Sequence, residues 1–381
     1  MRLGIDATNI RSGGGVTHLV ELLRAAQPAQ HGFGQVIVWS ARATLGRMEE
    51  RPWLVKREDP MLERSLPWRA YWQRFRLADA VRQAGCHVLF VPGGSYAGDF
   101  QPIVAMSQNL LPFEWREARR YGLSPMTLRL LVLRWSQART LRRAAGVIFL
   151  SDYARRRITA EIGALGAPVS TIPHGIDPRF LHEPRAQRDL AEHAPERPVR
   201  AIYVSIVDMY KHQCRVAEAA VALRAQGLPL VMELVGPAYP PALRRLRETL
   251  LRIDPLGAAV RYAGPVPHAE LPGRYAAADL AVFASSCENL PNILIECMAS
   301  GLPIACSDRG PMPEVLGDGA VYFDPESSES IAEAMRALIM SRELRERMAR
   351  DAFDRARAYS WERCASETLG FLARIAGRAE R

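Results

Sequence analysis

The segment Leu280–Glu296 reads LAVFASSCENLPNILIE and decides the fold, because it contains one complete strand-to-helix transition. The apolar run Leu280–Ala284 predicts a buried strand, and the polar loop after it leads to a helix that begins near Asn292. Glu288 in the loop and Glu296 in the helix then face the same space, where carboxylates that accept hydrogen bonds from hydroxyl groups suit sugar recognition. In the alternative interpretation Glu288 caps the helix and Glu296 is a solvated helical residue.

The same alternation of short apolar runs with longer helical stretches extends along the chain, which is typical of parallel sheets covered by helices. It occurs twice, on either side of Leu181–Pro198, a polar segment without apolar periodicity. We therefore expect an α/β protein of two Rossmann-like doubly wound parallel-sheet domains, residues 1–185 and 186–358, facing each other across a cleft. The predicted strands are Leu3–Asp6, Val36–Trp39, Val88–Val91, Ile103–Met106, Val147–Leu150, Val169–Ile172, Ala201–Ser205, Leu230–Val235, Val260–Tyr262, Leu280–Ala284, Ile304–Cys306 and Val321–Phe323.

Length and composition agree with two globular domains and exclude several other classes. The 381 residues are 48% hydrophobic and 24% charged, and no stretch of about 18 uncharged apolar residues predicts a membrane span or a signal peptide. The six cysteines form no C-x-x-C pair and have no histidine at zinc-ligand spacing, so they predict reduced thiols in a cytoplasmic protein.

The basic residues are unusual in type, since Lys56 and Lys211 are the only lysines among 50 basic side chains. Codon bias explains such a preference for arginine, but an ammonium and a guanidinium are not interchangeable at a binding site. Lys211 follows the predicted strand Ala201–Ser205, where its ammonium suits a diphosphate; the alternative is an exposed loop lysine. Near the N-terminus, Gly13-Gly14-Gly15 lies between a strand and a helix, where backbone amides favour an anionic group; the alternative is a flexible surface loop.

Taken together and in this order, several segments resemble the retaining nucleotide-sugar glycosyltransferases of family 4, which have the two-Rossmann GT-B architecture. The segments that carry the resemblance are Gly13–Gly15, Ile172–Asp177, Lys211, Glu288 to Glu296 with seven residues between them, and Tyr359–Glu362. The last of these is similar to the start of the family's final helix, which implies that residues 359–381 cross back to the first domain. The resemblance extends over essentially the whole chain.

The resemblance implies a role for each matching residue. Glu296 would bind the ribose hydroxyls of the donor nucleotide, Glu288 the hydroxyls of the transferred sugar, and Lys211 the donor diphosphate. Further donor contacts are implied for Gly13, Gly14, Gly15, Asn289 and Leu290, and base contacts for Tyr262 with Arg261.

The implied reaction is transfer of a sugar from a UDP- or GDP-sugar to a hydroxyl of a glycan or glycolipid acceptor, with retention at the anomeric carbon. Such acceptors belong to cell-surface polysaccharide or lipopolysaccharide biosynthesis. The leaving diphosphate would help to take the acceptor proton, while Lys211 and Glu288 act as catalytic groups that stabilise charge and position the sugar. The chain has no Asp-x-Asp sequence, so no metal and no cofactor besides the nucleotide sugar is expected.

Three positions depart from the family pattern. Ser205 and Ile206 stand where an arginine or lysine is frequent, and Asn289-Leu290 replaces a usual Phe-Gly. Gln108 and Asn109 align with a usual His-Asp pair; Asn109 is still a candidate catalytic residue, since an amide can hydrogen-bond an oxyanion although it cannot shuttle a proton. These departures keep two alternatives open, a non-catalytic sugar-nucleotide-binding relative and a sugar-nucleotide epimerase or phosphorylase of the same architecture.

The N-terminal half carries 27 basic and 16 acidic side chains in residues 1–190, which predicts an anionic partner. No nucleic-acid-binding module accompanies this charge, so an anionic membrane surface is favoured, with the protein peripheral on the cytoplasmic face of the inner membrane. The alternative is that the aromatic side chains of this half pack on their own sheet and its arginines are solvated. The predicted docking stripe consists of Trp68, Tyr71, Trp72, Phe75 and Ala78, with Arg69, Gln73 and Arg76 opposite.

Overall fold

The structure is a computed structural model that describes residues 1–11 and 13–379. The chain folds as two compact units. Unit 1 comprises Met1–Ala118, Gly122–Gly175 and the residues from Ser360 onward, and unit 2 comprises Arg119–Tyr121 and Ile176–Tyr359. Each unit has its own parallel sheet, which confirms the predicted α/β class with two doubly wound domains.

Within the described residues, unit 1 is built on a seven-stranded sheet whose neighbouring strands all pair in parallel. Its central strands are buried along their whole length, which explains why they are nearly continuous apolar runs. The strands are β1 (Arg2–Asp6), β2 (Gln35–Trp39), β3 (Leu54–Arg57), β4 (Val88–Val91), β5 (Ile103–Met106), β6 (Gly146–Phe149) and β7 (Val169–Thr171), in the order β3-β2-β1-β4-β5-β6-β7.

Two long helices of unit 1 begin directly after a serine whose side chain caps the helix. The hydroxyl of Ser151 accepts a hydrogen bond from the backbone N–H of Ala154 (3.1 Å), and Ser124 does the same for Thr127 (3.4 Å). The helices are α1 (Gly14–Ala25), α2 (Arg42–Leu45), α3 (Leu66–Phe75), α4 (Leu77–Gln83), α5 (Trp115–Ala118), α6 (Pro125–Arg143) and α7 (Asp152–Ile162).

In the described chain, unit 2 has a six-stranded parallel sheet. The strands are β8 (Val199–Val204), β9 (Leu230–Val235), β10 (Val260–Gly264), β11 (Leu280–Phe283), β12 (Ile304–Ser307) and β13 (Val321–Phe323), in the order β10-β9-β8-β11-β12-β13. The helices are α8 (Gln213–Ala225), α9 (Pro240–Ile253), α10 (Leu271–Ala277), α11 (Asn292–Ala299), α12 (Met312–Leu316), α13 (Ser328–Met340) and α14 (Arg342–Ala356). A last helix, α15 (Trp361–Ala379), belongs to unit 1, where it packs against α1.

Both sheets have a topological switch point, the place where the winding of the chain changes direction. In unit 1 the first strand, β1, lies between β2 and β4, and in unit 2 the strand β8 lies between β9 and β11. Ligands of doubly wound sheets bind outside the carboxyl ends of the strands at this point. In unit 2 the loops after Val204 and Phe283 are therefore expected to carry the ligand-binding residues.

The predicted strands are all present with small shifts at their ends, and the strand β3 is additional. Its sequence, Leu54-Val55-Lys56-Arg57, has no apolar alternation to predict a strand. It pairs with β2 at the edge of the sheet, where charged side chains reach solvent. Lys56 directs its ammonium back to the backbone oxygen of Met48 (2.6 Å).

The first crossing between the units differs from the sequence expectation. It falls after Gly175, so the polar segment Leu181–Pro198 lies within unit 2. Arg185 anchors this segment by donating hydrogen bonds to the backbone oxygens of Ala276 and Ala278. Polar composition marked this segment as a linker, whereas its guanidinium contacts make it part of a folded unit.

The predicted aromatic stripe is divided between two environments, so the expectation that all five of its residues form one exposed face is wrong. Trp72 is buried, while Trp68, Tyr71 and Phe75, which lie on the same side of α3, are exposed. Ala78 is buried in the next helix, α4, because α3 ends at Phe75. No helix in the described part of the chain is long and apolar enough to cross a membrane.

Candidate functional site

Two loops at the switch point of unit 2 are held together by hydrogen bonds. One follows β8 and leads to Lys211, and the other follows β11 and contains Glu288. Ser286 donates its backbone N–H to the backbone oxygen of Tyr210 (2.9 Å), and the Nε2 atom of His212 lies 2.9 Å from the Ser286 hydroxyl. These contacts fix side by side the two loops that the sheet order brings to one edge.

Lys211 and Glu288 form a largely buried ion pair in these loops. Lys211 Nζ contacts Glu288 Oε1, and the two side chains are 6% and 15% exposed. The ammonium also lies 5.1 Å from the ring centroid of Tyr210 and 5.5 Å from that of Phe283. The carboxylate and the two aromatic rings compensate for the lost hydration of the cation. The structure therefore brings together the predicted diphosphate-binding cation and the predicted sugar-binding carboxylate.

Glu296 lies in α11 with its two oxygens in different situations. Oε1 is 2.9 Å from Nε2 of His268, whereas Oε2 is buried and has no hydrogen-bond partner among the described residues. Burial raises the pKa of the Glu296 carboxyl, and the hydrogen bond to Glu296 raises the pKa of His268. An unsatisfied buried oxygen is costly, so a hydroxyl group donated by a ligand would stabilise it.

The start of α11 follows the prediction made for the segment after Glu288. Asn289 and Leu290 are buried in the loop, and the helix begins at Asn292 after Pro291. The side-chain oxygen of Asn292 is buried without a hydrogen-bond partner in the part of the chain that the structure describes. The donor contacts expected of the Asn289 and Leu290 amides stay predictions.

Tyr262 and Arg261, the expected base contacts, point to different surroundings because they are consecutive residues of the strand β10. Tyr262 is half-buried and donates its hydroxyl to the backbone oxygen of Gly236 (2.8 Å), and burial raises its pKa. Arg261 lines a cavity of about 430 Å³ together with Arg200 and Arg274. The base contact of Tyr262 stays a prediction.

The remaining predicted site residues lie in unit 1. Gly13 precedes α1 with a positive φ of 68°, which favours glycine. Gly14 is the first residue of α1, and a Cβ on Gly15 would lie 3.2 Å from the side-chain oxygen of Gln108, so the helix start approaches the loop after β5 closely. The donor role expected for these glycines is not tested by these contacts.

Gln108 and Asn109 use their amides within unit 1. The Gln108 amide nitrogen lies 3.0 Å from Nδ1 of His18, and Asn109 accepts a hydrogen bond from the backbone N–H of Leu111 (3.1 Å). Asn109 thus stabilises a local turn. Its predicted catalytic role remains a prediction.

Sequence reasoning missed a buried histidine pair in unit 1. The rings of His18 and His174 lie 4.6 Å apart, and each lies 5.8 Å from the ring of Trp361. Burial lowers the pKa of His18 to about 3 and that of His174 well below its ordinary value. Nδ1 of His174 is buried without a hydrogen-bond partner within residues 1–11 and 13–379. The burial of His18 could have been predicted from its position on the apolar face of α1.

His268 was also missed, although it contacts Glu296 directly. It follows β10 in a short turn, His268–Glu270, and no local motif marks it. The contact depends on how this turn folds over α11, which a single sequence does not reveal. At the switch point of unit 1, Asp6 is a further buried carboxylate, and it is satisfied by the Thr8 hydroxyl (2.7 Å) and the Gln73 amide (2.6 Å).

Two family models match the chain, one in each half. Residues 12–180 match the model described as Glycosyltransferase Family 4, and residues 186–355 match the model described as Glycosyl transferases group 1. The O-antigen chain mannosyltransferase B of Escherichia coli is 33% identical over 110 residues, 29% of this chain and 29% of that protein. A GDP-mannose-dependent alpha-(1-6)-phosphatidylinositol monomannoside mannosyltransferase of Mycobacterium tuberculosis is 28% identical over 242 residues, 59% of this chain and 61% of that protein. Both matches therefore span less than two thirds of the relative.

Solved structures share the fold over the full chain. Sucrose-phosphate synthase from Thermosynechococcus elongatus has a TM-score of 0.75 at 18% identity, and covers 100% of both chains. HepE from Anabaena, in complex with UDP and glucose, has a TM-score of 0.66 at 17% identity and covers 100% of this chain and 99% of its own.

Two doubly wound units, each with a parallel sheet, define a protein of the GT-B class, and a buried lysine and carboxylates lie at the switch point of one of them. With the two family models, the chain belongs to the family 4 glycosyltransferases and is a glycosyltransferase.

Proposed function

We propose that the protein transfers a sugar from a UDP- or GDP-sugar to a hydroxyl of a glycan or glycolipid acceptor, with retention of configuration at the anomeric carbon. The observation that carries the proposal is the Lys211–Glu288 pair at the carboxyl edge of β8 and β11. The unsatisfied Oε2 of Glu296, in the helix that follows, supports it, because a ribose hydroxyl would supply the missing hydrogen bond. The GDP-mannose dependence of the Mycobacterium tuberculosis relative and the UDP complex of HepE support a nucleotide-sugar donor.

In this mechanism the donor diphosphate replaces Glu288 as the ion-pair partner of the Lys211 ammonium. The Glu288 carboxylate then accepts hydrogen bonds from hydroxyls of the transferred sugar. The bond between the anomeric carbon and the diphosphate oxygen breaks, and the acceptor oxygen forms its bond on the same face of the sugar. The acceptor proton passes to the leaving diphosphate, whose charge Lys211 stabilises. We propose that no metal is required, because the sequence contains no Asp-x-Asp that would hold a metal-bridged donor.

Calorimetry with UDP, GDP and ADP tests the donor site directly. We expect UDP or GDP to bind, and ADP more weakly, and the binding to persist in EDTA. Absence of binding by every nucleotide at millimolar concentration would contradict the proposal. Nuclear magnetic resonance of the product's anomeric proton then tests retention, since an inverted configuration would exclude the front-face mechanism.

A non-catalytic nucleotide-sugar-binding relative is the second candidate, and the local use of two amides favours it. Asn109 and Gln108 are engaged by Leu111 and His18, and Ile206 stands where the family often has a cation. This candidate predicts nucleotide binding without release of UDP or GDP from any nucleotide sugar in the presence of acceptor. If the wild-type protein releases UDP or GDP faster than the Glu288→Gln variant does, this candidate is excluded.

We also propose that unit 1 docks on the cytoplasmic face of an anionic membrane that carries the acceptor. Trp68, Tyr71 and Phe75 expose their rings on α3, and guanidinium groups lie over two of these rings, Arg64 over Trp68 (5.0 Å) and Arg74 over Phe75 (5.1 Å). Exposed aromatic and basic side chains suit the headgroup region. Sedimentation with anionic vesicles at low and high salt tests docking, and equal, negligible binding at both would contradict it.

A further inference from the structure

A second helix of unit 1, α6, exposes an apolar stripe that the sequence pattern did not reveal. Leu128, Leu131, Val132 and Trp135 are all exposed, and Trp135 is 66% exposed. These residues share one face, because they lie three or four positions apart. The opposite face carries buried residues such as Leu141. The apolar stripe of α6 is thus directed to the outside of unit 1.

The loop of residues 93–101, between β4 and β5, forms hydrogen bonds to both α3 and α6. Gln73 of α3 donates a hydrogen bond to the backbone oxygen of Ser95 (3.0 Å), and Tyr96 donates its backbone N–H to the hydroxyl of Thr140 in α6 (2.9 Å). The two helices therefore flank the same loop, and their exposed aromatic side chains lie on neighbouring elements of one unit.

A cavity of about 220 Å³ opens between this loop and the two helices, and three arginines line it. They are Arg74 from α3 and Arg139 and Arg143 from α6, and within residues 1–11 and 13–379 none of them has an ion-pair partner. The cavity also contains Asp99, but its carboxylate is engaged by Arg82 (3.0 Å). Three uncompensated guanidinium groups around one cavity attract an anionic group with several acceptor oxygens.

Two exposed aromatic rings contact arginines that line the cavity, and this brings the rings next to it. Arg74 lies over the ring of Phe75, and Arg139 lies 5.8 Å from the ring centroid of Trp135. Phe75 is 57% exposed. An anion seated in the cavity would therefore have exposed apolar rings beside it, which is the arrangement of a phosphate next to acyl chains at the surface of a bilayer.

We propose that this cavity binds the phosphate-bearing headgroup of an anionic phospholipid while Phe75 and Trp135 enter the acyl boundary of the bilayer. The inference rests on the membrane docking proposed above and names the lipid class and the residues that select it. A soluble anion would use the arginines but would leave the apolar stripe of α6 in water. A bilayer covers both, and this favours a lipid over a free phosphate.

The test compares two double variants that remove the same charge, each with one change in α6 and one in or directly after α3. Arg74→Gln/Arg139→Gln removes two cavity arginines, and Arg76→Gln/Arg129→Gln removes two exposed arginines that do not line the cavity. Each is sedimented with vesicles of phosphatidylcholine alone and of phosphatidylcholine with a third of phosphatidylglycerol. We expect the cavity variant to lose more than tenfold in partitioning to the anionic vesicles, and the control variant less than about fivefold. Equal losses would overturn the headgroup site and leave only diffuse charge.

Two further measurements separate the possible failures. Inorganic phosphate at millimolar concentration should not displace the wild-type protein from anionic vesicles more than matched chloride does; selective displacement would identify a free-anion site and overturn the lipid assignment. If the wild-type protein binds nucleotide but no vesicle, the result contradicts both the membrane docking and the headgroup site, but it does not contradict the glycosyltransferase proposal. Nucleotide binding by both variants shows that they are folded.

Discussion

Replacement of Lys211 by methionine separates the structural role of the Lys211–Glu288 pair from its binding role. Both side chains are largely buried, so removal of one partner leaves the other charge without compensation. Such a change costs about 3 kcal/mol of folding free energy, whereas replacement of both partners by neutral residues of similar shape is close to neutral. We therefore expect Lys211→Met to destabilise the protein by about 3 kcal/mol, and Lys211→Met/Glu288→Gln to recover most of that loss.

Nucleotide affinity should not recover with the free energy of unfolding when Glu288→Gln is added to Lys211→Met. The ammonium that meets the diphosphate is absent from both, so both should bind UDP or GDP at least tenfold more weakly, about 1.4 kcal/mol. Lys211→Arg keeps the charge but places a planar guanidinium between the rings of Tyr210 and Phe283, and overpacking there should also lower affinity. Urea unfolding and calorimetry measure the two effects independently.

Lys56 supplies the matched control, because it is the other lysine of the chain. Its ammonium pairs with Glu50, whose side chain is 84% exposed, so Lys56→Met should cost less than about 1 kcal/mol and leave nucleotide binding unchanged. The reasoning is refuted if Lys211→Met binds nucleotide as tightly as the wild type, or if Lys56→Met weakens binding equally.

Three further changes test other parts of the structure. Glu296→Leu should weaken nucleotide binding at least tenfold in calorimetry, because leucine has no oxygen that could accept a ribose hydroxyl hydrogen bond in place of Oε2; unchanged affinity would exclude the ribose role. Burial holds His18 neutral with a pKa of about 3, so the unfolded chain binds a proton below pH 6.5 that the folded chain does not, and His18 alone should lower the free energy of unfolding by about 2 kcal/mol between pH 7 and pH 5. Because burial lowers the pKa of His174 as well, His18→Gln should remove about that share of the pH dependence in urea unfolding and leave the share of His174; an unchanged profile would contradict the assignment. Gly175→Ala should lower the melting temperature sharply, since its Cβ would lie 2.2 Å from the backbone nitrogen of Trp361, whereas Gly166→Ala, with open space around it, should not; equal melting temperatures would show that the crossing tolerates a side chain.

The doubly wound architecture was predictable because buried parallel strands are short apolar runs, and these are visible in the sequence without any knowledge of tertiary structure. The strand β3 was not predictable in this way, since an edge strand with Lys56 and Arg57 has no such run. The sheet order then decides the site: β8 and β11 are neighbours although 75 residues separate Val204 from Leu280, and this adjacency brings Lys211 to Glu288.

The partners of the site residues were less predictable than the residues themselves. Glu296 was found from its distance to Glu288 along the chain, but its contact with His268 depends on a turn that packs over α11. The division of the aromatic stripe has the same cause, since both Trp72 and Trp68 suit a helix face and only packing decides which one is buried. A pattern predicts which residues share a face of a helix, while tertiary contacts select the face that is covered.

The two lysines of this chain have surroundings that differ from those of its buried arginine Arg345. A buried arginine such as Arg345 places its planar group among several acceptors, the backbone oxygens of Leu338 and Ile339 included. Lys211 has one carboxylate partner and two aromatic rings, and Lys56 reaches one backbone oxygen through a half-buried path, so both positions favour a linear chain with a compact charge. Only Lys211 also lies at a switch point, where an incoming diphosphate would compete with Glu288 for the ammonium, and this position rather than rarity supports the donor role that we propose for it.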